Sequence, residues 1–123
     1  WWNKRVEELS KGMAQKLQFI TTVVHKPSLL ILDEPFSALD YQTRLSVCDD
    51  VYKIIKAEQK TALLVTHDIA EAISMSDKII VLTDRPAKVK SIFRPKLDGS
   101  TPIRRRESKD FGILFEQIWR ELN

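Results

Sequence analysis

Asp33 and Glu34 stand side by side directly after the aliphatic run at residues 29–32, and a further carboxylate, Asp40, closes the stretch LLILDEPFSALD. A short apolar run bounded by a turn signal suits a strand covered on both faces, as in a parallel sheet. The end of such a strand is a costly place for two ionised carboxylates unless they are paired, hydrogen-bonded or serving a metal. The pair therefore calls for a hard cation, which prefers oxygen ligands, for a positioned water, or for both. A second group able to do chemistry, His67, lies in VTHD (residues 65–68), just past another β-type run. An imidazole there can hydrogen-bond an anion or a water, and it can equally be a polar residue at a helix start.

Five further segments must position these groups. After Ser10, a good N-cap, Met13, Leu17, Ile20, Val23 and Val24 recur at helical spacing and Pro27 follows, which predicts a helix ending near His25. Leu45, Val47, Cys48, Val51, Ile54 and Ile55 predict a second helix over 41–58, leading into a strand at 61–66. A short helix at 69–75 precedes a strand at 78–83. Strand, helix, strand, helix, strand is the order of an α/β parallel sheet, where ligands gather at the carboxyl ends of the strands. Asp33, Glu34 and His67 all fall at such ends. Beyond it, residues 85–88 read as a turn, 89–93 as a short edge strand and 96–102 as a linker. In the tail, Phe111, Leu114, Phe115, Ile118, Trp119 and Leu122 share one helical face, which would dock on this domain's own core or on a partner.

Composition narrows the class. Of 123 residues, 43% are hydrophobic and 30% charged, enough for a real core and against pervasive disorder. The net charge of +3 is mildly basic, and the densest run, residues 104–106 (RRR), adjoins Gly, Ser and Pro rather than aromatics. Stacking platforms for nucleic acid are thus missing, and no nucleic-acid partner is expected; the run reads as a solvated turn, with phosphate or lipid head groups as the other reading. Cys48, the single cysteine, forms no internal disulfide. No apolar run has the length to span a bilayer, and the start, WWNKRVEEL, is neither a signal nor a transit peptide. It also lacks an initial methionine, so an incomplete chain is expected.

Taken together, LSKGM (9–13), ILDEP (31–35), SALD (37–40) and VTHD (65–68) resemble, in order and spacing, the motifs of ABC-type ATPases, the ATP-binding subunits of ABC transporters. The resemblance covers nearly the whole chain. It implies an α/β, parallel-sheet P-loop NTPase-type core, incomplete and lacking its N-terminal Walker A half. Residues 1–28 would be the signature-bearing part of a helical subdomain, 29–97 the C-terminal half of the catalytic core, and 98–123 a linker with a C-terminal amphipathic helix. Asp33 then resembles the Walker B aspartate that holds magnesium through water, Glu34 the catalytic glutamate that activates or orients the attacking water, and His67 the switch histidine on the γ-phosphate. Ser10, Lys11, Gly12 and Met13 resemble the signature loop, usually L-S-G-G-Q or L-S-G-G-M, which binds ATP held by an opposite protomer at a helix N-terminus. For Ser10 alone, a plain N-cap serves as well. Ser37, Ala38, Leu39 and Asp40 resemble the D-loop at the dimer seam, while Asp40 is also a good N-cap for the following helix.

The implied cofactors are ATP and Mg2+. The implied partners are a second nucleotide-binding domain, as a homodimer in the complete form, a transmembrane permease and, for an importer, a solute-binding protein; the chain itself would be peripheral, on the cytoplasmic face of the membrane. The later segments, ALDYQTRL, the stretch from THDIAEA to RPAKV and the FEQIWRELN tail, are similar to importers of nitrate, sulfonate and taurine. VEELSKGMAQKLQFI is more similar to small two-component exporters. Two departures matter. A phosphate cradle needs G-x-x-x-x-G-K, and none of Gly12, Gly99 and Gly112 is followed by Lys. Lys11 also replaces a usual glycine. The chain alone is therefore expected to be a poor ATPase, with apolar sheet faces left exposed. An exporter-type ATPase, an ABC ATPase acting on DNA or ribosomes, and a silent docking module are the rival readings.

Overall fold

The computed structural model describes the backbone of residues 2–123 and the side chains of 11–23 and 25–123. The elements are α1 (Trp2–Val24), β1 (Leu29–Asp33), α2 (Tyr41–Ala57), β2 (Thr61–Val65), α3 (Ile69–Met75), β3 (Ile79–Leu82), β4 (Val89–Phe93), α4 (Pro102–Arg106) and α5 (Phe111–Leu122). They divide into two compact units, 1–66 and 67–123, so the expected segment 29–97 is distributed over both.

In the first unit, β1 and β2 pair in parallel, with Leu29 opposite Thr61 and Asp33 opposite Val65. A parallel pair needs a long crossover, and α2 supplies it. Val47, Cys48 and Val51 on α2, Leu30 on β1, and Phe19 and Val23 on α1 are buried in this unit. Leu29, Ile31, Leu63 and Val65 are exposed. Three of them, with Asp33, occupy directly paired positions, so one face of the parallel pair is apolar and uncovered.

Two features of α1 correct the sequence reading. The helix starts at Trp2, not after Ser10, so residues 10–13 lie in a helix interior; the Ser10 side chain is outside the described residues. The stripe Met13, Leu17, Ile20 is exposed, whereas Gly12, Phe19 and Val23 are buried. Glycine decides the packed face. A Cβ built on Gly12 would lie 2.7 Å from Thr43 Cγ2 and 3.5 Å from Val47 Cγ2, so its absence lets α1 approach α2 closely. Lys16 and Asp50 form an ion pair between the same helices.

In the second unit, Ile69, Ile73, Ile79, Val81 and Ile118 form the buried core, flanked by Phe93, Leu97, Phe111, Leu114 and Phe115. The tail helix α5 therefore docks on its own unit through the expected face, although Trp119 and Leu122 remain exposed. The third expected parallel strand is a correction: β3 pairs antiparallel with β4, Ile79 opposite Phe93 and Ile80 opposite Ile92. The short link between them permits a hairpin and not a crossover, and Thr83 closes it with its N–H on the Lys88 carbonyl at 2.8 Å. Residues 104–106 are not a solvated turn either. They form most of α4, capped by Thr101 Oγ1, and Arg105 is buried with its guanidinium donating to the Ser76 carbonyl at 3.0 Å.

Candidate functional site

The site is built at the C-terminal end of the parallel pair. Asp33 is the last residue of β1 and its carboxylate is exposed. Glu34 leaves the strand with φ 45°, a left-handed conformation in which a non-glycine residue is strained. Its N–H still continues the ladder, donating to the Val65 carbonyl at 2.8 Å. The chain thus turns sharply while tied to the neighbouring strand. An unstrained strand end would alternate its side chains without this kink.

The next six residues form a compact loop. Phe36 and Leu39 are buried, so the loop is held from beneath by apolar contacts, with Ser37 and Ala38 exposed between them. Ser37 returns to Glu34, its N–H donating to the Glu34 carbonyl at 3.4 Å and its hydroxyl to the same oxygen at 3.1 Å. The Leu39 N–H donates to the Phe36 carbonyl at 3.2 Å. Asp40 is an N-cap of α2, its carboxylate accepting from the Thr43 N–H at 3.3 Å. Of the two sequence readings of Asp40, this one is directly visible.

In the second unit, His67 is exposed and immediately precedes Asp68, which caps α3 by accepting from the Glu71 N–H at 3.0 Å. The start of α3 is therefore capped by Asp68 and not by His67. The signature-like segment has changed character. Lys11 and Met13 are exposed on α1, while Gly12 faces α2. An interior helical N–H belongs to the ladder of the helix, so the Gly12 amide is not presented to an anion as it would be at a helix start. The sequence reading missed Arg44, whose guanidinium donates to the Leu39 carbonyl at 3.0 Å. Its only signal is a cation four residues after a cap, a place helices disfavour for positive charge.

The donor chemistry fits magnesium in part. One exposed carboxylate, Asp33, suits an ion that takes one or two protein oxygens and completes its shell with water and phosphate. Among the described residues no cluster of three or more His, Cys, Asp or Glu side chains is disposed to hold a metal by itself. Nothing in the sequence cradles the phosphates.

Two parallel strands joined by a helical crossover, the first of them ending in adjacent carboxylates, fit part of the α/β core of the P-loop nucleotide-triphosphatase class. The sequence model of the family described as "ABC transporter" matches residues 1–37. An "Uncharacterized ABC transporter ATP-binding protein YtlC" of Bacillus subtilis (strain 168) is 49% identical over 122 residues, 98% of this chain and 47% of that protein. The "Bicarbonate transport ATP-binding protein CmpC" of Synechocystis sp. is 44% identical over 84 residues, 68% of this chain and 13% of its own length. The "Nitrate transport protein NasD" of Klebsiella oxytoca is 40% identical over 85 residues, 69% of this chain and 32% of its own. The chain belongs to the ABC transporter ATP-binding proteins. It spans less than half the length of these curated relatives.

Proposed function

We propose that the chain is part of the ATP-hydrolysing subunit of an ABC importer for a small solute such as nitrate, a sulfonate or taurine. The observation that carries this reading is the carboxylate pair at the β1 terminus, with Glu34 set apart from Asp33 by a left-handed backbone tied to Val65. The names of the nitrate and bicarbonate transport relatives support a small anionic solute, and the importer direction rests on the resemblance of the later segments to importers.

In this reading the Glu34 carboxylate orients and deprotonates the attacking water, which needs an acceptor within hydrogen-bond reach of the reacting atoms. The Asp33 carboxylate would hold magnesium through water. When bound, the ion neutralises charge developing on the phosphate oxygens. His67 is assigned the γ-phosphate hydrogen bond on the strength of its VTHD setting. Of the signature-like segment, Ser10, Lys11 and Met13 are assigned the ATP of a second copy, while Gly12 serves the packing of α1 on α2. With the Gly12 amide committed to α1, exposed Lys11 is the described cation of that segment. Ser37, Ala38, Leu39 and Asp40 form the loop at the seam between the two copies. A transmembrane permease and a solute-binding protein complete the assembly, with this subunit peripheral on the cytoplasmic face; no helix of the described residues is long and apolar enough to cross a membrane.

The test is ATP turnover by the complete gene product that contains this chain, wild type against Glu34→Gln. The substitution keeps shape and removes the base, so kcat should fall by about 100-fold or more with ATP still bound. Equal turnover in the two proteins rules out Glu34 as the base.

A further inference from the structure

We propose that Arg44 is a positioning residue for the reaction, locking the loop that carries Glu34; the inference rests on the reading of Glu34 given above. Arg44 lies in the first turn of α2, where a cation opposes the helix dipole. It is half-buried there, so the guanidinium is not simply hydrated. Its Nη2 reaches back across five residues to the Leu39 carbonyl at 3.0 Å. Charge-assisted hydrogen bonds of this kind are stronger than neutral ones.

From that carbonyl an unbroken series runs to the catalytic candidate. Leu39 donates to Phe36, and Ser37, next in the chain, donates to the Glu34 carbonyl through both its amide and its hydroxyl. Glu34 is the residue whose left-handed backbone needs holding, because a strained conformation persists only where its surroundings over-determine it. Strand β2 holds it on one side through Val65, and the loop holds it on the other. Arg44 ties that loop to the helix beyond Asp40. Lacking the tether, the loop between Glu34 and Asp40 keeps its apolar anchors but loses its fixed shape, and small misplacements of a reacting group are costly to rate.

The experiment uses the complete gene product with Arg44→Met, Arg44→Lys and Glu34→Gln, reading kcat and the KM for ATP. The methionine keeps the stem and removes the donor; kcat should fall about tenfold with KM within about twofold of wild type. Lysine restores a donor and should keep kcat within about threefold of wild type, because the carbonyl needs one N–H. Amide exchange at Ser37 and Leu39 should quicken about tenfold in Arg44→Met and not in Arg44→Lys. If Arg44→Met does not fold, Arg44→Gln is the second variant: its shorter amide falls short of the carbonyl and should show the same loss. Wild-type kcat in the methionine or glutamine variant, while Glu34→Gln is inactive, overturns the role of Arg44 alone. A lysine variant as impaired as the methionine overturns the tether as its cause. Turnover that survives Glu34→Gln instead overturns the base assignment on which the inference rests.

Discussion

Gly12 gives the sharpest test of how the first unit is packed. In Gly12→Ala the new methyl would lie 2.7 Å from Thr43 Cγ2, well inside the ordinary carbon–carbon separation of about 3.5 Å. Thr43 is β-branched, stiff at χ1, and its N–H is held by the Asp40 cap, so it yields poorly. Overpacking of this kind costs about 1–3 kcal/mol, while alanine in a helix interior is favoured over glycine by about 1 kcal/mol. The net expectation is a loss of about 1 kcal/mol, read by urea unfolding of the gene product. Thr43→Ser removes the opposing Cγ2 and keeps the cap. In that background Gly12→Ala should be neutral or stabilising, a coupling of about 1–2 kcal/mol in the double-mutant cycle. If Gly12→Ala alone stabilises by the full propensity gain, or shows no coupling to position 43, the close approach of α1 and α2 is not what the glycine serves.

Asp40→Ala removes the side-chain acceptor from the Thr43 N–H and should lower stability by about 0.5–2 kcal/mol in a thermal melt, whereas Asp40→Asn should retain most of it; equal losses would contradict the capping account. Arg105→Met leaves the Ser76 carbonyl at the end of α3 without its buried donor and should cost about 1–3 kcal/mol. A wild-type melting temperature for that variant would show that the bond contributes nothing net.

The aliphatic run of β1, the two apolar stripes of α2 and α5, the cap at Asp40 and the short helix after Asp68 were all legible, because each is set by spacing along a few consecutive residues. The candidate site shares that origin: adjacent carboxylates at a strand end and a histidine at the end of another apolar run are local patterns. What the sequence determined by itself, then, was the order of the elements other than α4, the α/β class and a set of candidate residues for the chemistry. Tertiary structure decided the rest, since each remaining choice depends on a partner distant in the chain. The absent side chain of Gly12 let α1 approach α2 closely, with Phe19 and Val23 buried and the longer stripe Met13, Leu17, Ile20 turned outward. The partner of β3 was settled by the short link to β4, and the burial of Arg105 by a free carbonyl at Ser76. The strain at Glu34 and the reach of Arg44 to Leu39 arise only once the loop closes over Phe36 and Leu39, because hydrogen bonds that hold an unfavourable backbone exist only in the folded chain.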